Sequence, residues 1–219
     1  MFPLMQAPGC AVLGVGEMRA FTLIETMVVL AILGILLSFG VPRMTLWTLS
    51  NKAAAATEFY AEGFKLARQQ ALGHHAASRL VLTVNAGNGQ MDWQVDLCFP
   101  MPGVPCSNES GNWSGTAAPA DGDPEGAAGS RSVFRSASAL PSAAVLQPSV
   151  LPEGSNSVYF NATGWVDTDF GQRLSRIEFV PATSYAGHLH ASALVVSLAG
   201  SVIKCDPGVA ASDARACPP

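Results

Sequence analysis

One segment limits what this chain can become more than any other. It runs Phe21-Thr-Leu-Ile-Glu-Thr-Met-Val-Val-Leu-Ala-Ile-Leu-Gly-Ile-Leu-Leu-Ser-Phe-Gly-Val41 and closes at Pro42. Its 21 residues match the ~20 needed to cross the hydrocarbon core of a bilayer as a helix. The uncharged part alone, Thr26 to Val41, has 16. No second stretch in the 219 residues is comparable, which excludes a multi-span membrane protein. Three ordinary roles compete for it: a cleaved secretory signal with 1–19 as its charged lead-in, a plain N-terminal anchor, or a buried core helix. The run is long for a signal, and Ser38-Phe39-Gly40 is a poor cleavage site.

None of these roles accounts for Glu25. A carboxylate inside a spanning helix costs on the order of 2.5–3.5 kcal/mol at the centre, less near an end, and usually marks a function. If the chain were cut before Phe21, a new α-amino group would lie near the depth of Glu25. The carboxylate of one subunit then pairs with the amino terminus of a neighbour. In hydrocarbon that attraction is weakly screened, and it offsets the burial cost only when subunits stack in register. The device rewards assembly and penalises the lone subunit.

The residues Arg19-Ala20-Phe21-Thr22-Leu23-Ile24-Glu25 resemble the processing site of type IV prepilins and type II secretion pseudopilins. The resemblance extends through the apolar helix to Pro42. It implies that a prepilin peptidase cuts between Ala20 and Phe21 and N-methylates Phe21, with Glu25 serving assembly. Ala20 stands where the family usually has Gly. The leader, 1–20, is long for the family and contains Met5 and Met18 as later candidate start codons. The family also implies an inner-membrane, single-pass location with the C-terminal part periplasmic. Its partners are other pilins or pseudopilins and the prepilin peptidase/methylase.

Beyond Pro42 the helical pattern continues. Leu49, Ala53, Ala56, Tyr60, Phe64, Ala67 and Ala71 form an amphipathic stripe, with Lys52, Glu58, Glu62, Lys65 and Arg68 largely off it. Gly73 and His74-His75 end the pattern. Phe21 to about Leu72 makes ~78 Å of helix, with a bend expected at Pro42. The rest reads as β: Arg79–Val84, Asp92–Cys98, Ser157–Asn161, Ser175–Val180, and a hairpin of Ala193–Leu198 and Ser201–Cys205 around Ala199-Gly200. Between them, about 99–131 is a Pro/Gly/Ala/Ser stretch without period, expected to be a surface excursion. The expected class is α+β: a long N-terminal helix packed on an antiparallel sheet. The expected organisation is leader 1–20, membrane and assembly helix 21–42, amphipathic helix 43–75, and β domain 76–219.

Within this part, Ala67-Arg68-Gln-Gln-Ala71, the turn Phe160-Asn-Ala-Thr-Gly164 and the terminal Gly200-x-x-x-Lys204-Cys-Asp-Pro are similar to the GspH/FimT group of minor pilins and pseudopilins. Cys10 would leave with the leader, so the mature chain keeps Cys98, Cys106, Cys205 and Cys217. In the periplasm disulfides persist. Three connectivities exist, and short-loop closure favours Cys98–Cys106 with Cys205–Cys217. Free buried thiols are the alternative. The spacings do not suit zinc.

Charged residues make up 13% of the chain, with 12 Lys+Arg against 16 Asp+Glu. This acidic balance opposes bulk capture of nucleic acid. Periodic apolar residues exclude disorder throughout. His74-His75 and His188-x-His190 lack the further ligands of a metal site; the second pair would share a strand face. Asp121-Gly-Asp-Pro-Glu resembles a calcium loop without its full ligand ladder. The triplets at Asn108, Asn112 and Asn161 match the glycosylation acceptor pattern. No nucleophile elbow, phosphate loop or paired-carboxylate motif is present, so no cofactor and no enzymatic activity are expected. Some FimT-like pilins bind DNA through a C-terminal Gly-Arg-x-Arg element. Here that element reads Gly200-Ser-Val-Ile-Lys204, with both arginines lost, so DNA binding is expected to be weak or absent.

Overall fold

The computed structural model describes residues 22–108 and 112–218. Helix α1 runs Leu23–His74 without interruption through Pro42. The chain divides into two compact units between Met44 and Thr45. In the first unit, every residue described from Thr22 to Val41 is exposed, including Leu30, Ile35, Leu37 and Phe39. This surface needs a cover of lipid or protein, since large contiguous apolar patches are rare on free monomers.

The second unit is an α+β domain. Its part of α1 presents Ala53, Ala56, Tyr60, Ala61, Phe64, Ala67 and Ala71 to a single core, with Leu49 packed at its edge. The small residues let the helix lie close to the strands. Gly63 shows why: a Cβ there would come within 2.7 Å of Leu80 Cδ1 and 3.0 Å of the Trp93 ring. The helix ends on a Schellman motif. His75 takes a left-handed φ of 49°, and Ala76 N–H donates to the Ala71 carbonyl at 3.2 Å.

Eight strands follow: β1 (Ala77–Val84), β2 (Met91–Cys98), β3 (Val133–Arg135), β4 (Leu146–Leu151), β5 (Ser157–Phe160), β6 (Arg176–Pro181), β7 (Ser192–Val196) and β8 (Val202–Cys205). They form two four-stranded antiparallel sheets, ordered β3-β2-β1-β5 and β4-β6-β7-β8. The six strands expected from alternation are all present; β3 and β4 are additions at sheet edges. Leu80, Leu82, Trp93, Val95, Val158 and Phe160 of the first sheet share the core with Leu146, Ile177, Phe179, Leu194 and Val196 of the second. Burying these side chains, at about 1.5–3 kcal/mol each, holds the sheets on the helix.

The described residues of the stretch at 99–131 are bound to the domain rather than standing off it. Trp113 is buried against Cys98 and Tyr159, and its indole N–H donates to the Ser107 carbonyl at 2.7 Å. Ser114 N–H donates to Leu97 O at 2.8 Å. This cover explains why β2 is buried on both faces at its end, where Asp96 and Cys98 are as enclosed as Val95 and Leu97.

Candidate assembly site

The geometry at the start of α1 grows from Thr22. Its Oγ1 accepts the Glu25 N–H at 3.3 Å, and its carbonyl accepts the Thr26 N–H at 3.2 Å. Thr22-Leu-Ile-Glu25 therefore has the spacing of a capping box, with Thr at the cap and Glu three residues on. Within the helix, Thr26 Oγ1 donates to Leu23 O at 2.8 Å and Ser38 Oγ to Ile35 O at 2.7 Å. These bonds satisfy hydroxyls that would otherwise be costly in hydrocarbon. The Glu25 carboxylate is different. It is exposed and has no hydrogen-bond or ionic partner among the described residues. Ala20 and Phe21 lie outside the described residues. An apolar helix with one unsatisfied carboxylate near its start can insert in a bilayer, but the charge requires a partner from elsewhere.

The prokaryotic N-terminal methylation motif matches residues 18–41, which covers this helix start and most of the apolar run. The chain is type IV pilin-like. Neither a curated protein nor a solved structure matches it. The motif indicates a pilus or pseudopilus subunit and implies processing by prepilin peptidase and assembly with other pilins.

In the globular unit of this pilin-like chain, three segments distant in sequence meet at one point. Arg68 Nε donates to the Gly164 carbonyl at 3.0 Å. Gly164 (φ 76°) packs on Leu72, and Gly200 (φ 75°) packs on the Gly164 carbonyl and the Arg68 side chain. Asn161 Oδ1 fixes the turn by accepting from Thr163 N–H, Thr163 Oγ1 and Trp165 N–H. The segments 67–71, 160–164 and 200–204 thus converge on Arg68.

Both cysteine loops are closed. Cys98 bonds Cys106 and Cys205 bonds Cys217, with Cα–Cα distances of 5.9 and 4.8 Å. The second loop also carries a bridge between Asp206 and Ala216. In the same loop, the side-chain hydrogen bond from Arg215 holds the exposed Asp213 carboxyl down at about 2. Lys204, the cation of the Gly200–Lys204 element, pairs with Glu58 of α1. Arg176 pairs with Glu178, and Arg215 with Asp213, so these charges are also engaged.

Other sequence candidates resolve into structure. His188 and His190 do not share a strand face: they lie before β7, exposed on either side of buried Leu189, because the His188 and Leu189 N–H groups both donate to the Tyr185 carbonyl at 2.9 Å and hold that stretch in a turn after the 3-10 segment Thr183–Tyr185. His74 Nε2 lies 3.3 Å from Ser130 Oγ. Asp123 is an internal turn former that accepts from Glu125 and Ser130 N–H. Asn112 is buried, and Asn161 is used in its turn, which leaves neither side chain presented like a modification site. Among the described residues, no cluster of three His, Cys, Asp or Glu could hold a metal ion.

Proposed function

We propose that this chain is a minor type IV pilin of the GspH/FimT kind, a structural subunit in pilus assembly or initiation. The observation that carries this reading is the exposed apolar helix with one partnerless carboxylate, Glu25, following a capped start. Peptidase would cut between Ala20 and Phe21, and methylation would fall on Phe21. Glu25 would then meet the amino terminus of an adjacent subunit. The helix would anchor the chain in the inner membrane, with the β domain and its disulfides Cys98–Cys106 and Cys205–Cys217 in the periplasm. The chain is a substrate of processing enzymes rather than a catalyst. The convergence of 67–71, 160–164 and 200–204 on Arg68 supports the GspH/FimT comparison, because it gives those scattered residues one structural task.

A type II secretion pseudopilin follows the same assembly logic and is the second reading. Chemical cross-linking in cells, followed by identification of the partners, separates the two. Recovery with pilus subunits supports the first, and recovery with secretion pseudopilins alone replaces it with the second. A DNA-uptake role is the third reading. It is disfavoured by the pairing of Lys204 with Glu58 and by Ser201 and Ile203 at the lost arginine positions.

A further inference from the structure

We propose that the cleft on the outer face of β1 and β5 binds a neutral oligosaccharide. The cleft has a volume of about 750 Å³, within the usual range for a small-molecule site. It lies on the side of the first sheet opposite Leu80 and Phe160, away from the core. Its ligand groups come from β1 (Arg79), the 154–157 turn (Asn156) and the 167–172 loop (Asp167, Asp169, Phe170, Gln172).

The chemistry of these groups decides the ligand class. A sugar presents adjacent hydroxyls, each both donor and acceptor, together with apolar C–H faces. Arg79 uses Nε toward Asp96 at 2.8 Å, and its two Nη groups have no hydrogen-bond partner among the described residues. Asp167 spends one oxygen on the Asp169 N–H at 3.0 Å, and the Asp169 carboxylate is unpartnered among the described residues. Gln172 donates Nε2 to Glu153 O at 3.0 Å and keeps its carbonyl oxygen for an incoming donor. Asn156 offers both a donor and an acceptor. Phe170 adds a partly exposed aromatic ring. A cleft with this alternation of donors, acceptors and a ring matches vicinal diols better than any single charge.

Preorganisation supports the assignment, since ordering the site on binding would weaken it. Phe170 stacks on Tyr159 with centroids 3.8 Å apart and planes 6° apart. The Arg79 guanidinium lies 4.4 Å from the centre of the Trp113 ring. Asp167 N–H donates to Tyr159 O at 2.8 Å and Leu174 N–H to Ser157 O at 2.7 Å, fastening both ends of the loop to β5. Two carboxylates against one guanidinium already bound to Asp96 repel polyanions, so nucleic acid and sulfated glycans are poor ligands here.

The test uses the full-length chain in a detergent without a sugar headgroup. Neutral tetrasaccharides of glucose, mannose, galactose and N-acetylglucosamine are titrated by saturation-transfer NMR and tryptophan fluorescence. At least one should bind, and Asp169→Ala and Gln172→Ala should each weaken it about tenfold with the thermal unfolding midpoint unchanged. Absence of binding by all four overturns the proposal. So does equal binding by both variants, or preference for a sulfated oligosaccharide over its neutral counterpart. Pilus incorporation is unaffected by either variant if the cleft is separate from assembly, so a failed titration leaves the pilin reading standing.

Discussion

Arg68 Nε donates to the Gly164 carbonyl at 3.0 Å, joining α1 to the turn after β5 across 96 residues of sequence. Gly200 of the β7–β8 hairpin closes over the same carbonyl. Helix, first sheet and second sheet are therefore held at a single point, backed by the Val166 N–H bond to Leu198 O at 2.9 Å.

Gly200→Ala tests that point. An added Cβ would press on the Gly164 carbonyl and come within 3.0 Å of Arg68 Nε, in a left-handed conformation that disfavours Ala. Strain and crowding together should cost about 2–4 kcal/mol. Denaturant unfolding should show this loss, whereas Gly187→Ala, with open space around it, should change stability little.

Tyr60 gives an alkaline signature. Its ring is buried against Phe179, and its hydroxyl accepts the Met91 N–H at 3.0 Å. Burial pushes the hydroxyl above its ordinary value of 10.0. Above about pH 10 the unfolded chain loses this proton while the native chain keeps it, so the native state holds more protons. The contribution is complete below about pH 10 and is lost as pH rises beyond it, by at most about 1.4 kcal/mol per pH unit. Tyr60→Phe should be less stable by about 1–3 kcal/mol at neutral pH, because the Met91 N–H loses its acceptor. The difference between the two proteins should narrow above pH 10. A constant gap to pH 11 would remove burial of the hydroxyl from the explanation.

The C-terminal loop should depend on its disulfide. Paired replacement Cys205→Ser with Cys217→Ser should lower stability by about 2–3 kcal/mol, from the freedom restored to the unfolded chain. Non-reducing peptide mapping of periplasmically produced protein should recover 98 with 106 and 205 with 217. Crossed peptides would contradict the connectivity.

Much of this fold was legible in the sequence, and the exceptions have reasons. β1, β2 and β5–β8 showed themselves because alternation or β-branched runs record one buried face. β4 was hidden by Pro148, which an edge strand tolerates. β3 is three residues long, too short for a period. The division into two sheets leaves no local signature, since it depends on pairings such as Leu146 with Pro181. Thr22-x-x-Glu25 is a readable capping signal, but the apolar run after it dominates the pattern. Trp113, in a stretch without period, was the residue that could have shown 99–131 to be anchored.

Glu25→Val separates insertion from assembly. The substitution removes a carboxylate that is unpartnered among the described residues, so membrane insertion should hold or improve. Incorporation into fibres should fall, because only the stacked state uses the charge. Both quantities can be read by immunoblot of membrane and sheared-fibre fractions. Normal incorporation would show that the charge has no part in assembly.

The most direct test is mass spectrometry of the amino terminus in cells with prepilin peptidase, compared with cells lacking it. The mature chain should begin with N-methylated Phe21 in the first case and retain its leader in the second, with Ala20→Gly cut at least as fast. A mature chain beginning after Ser38 or Gly40, or an uncut chain in cells that process other pilins, would contradict it.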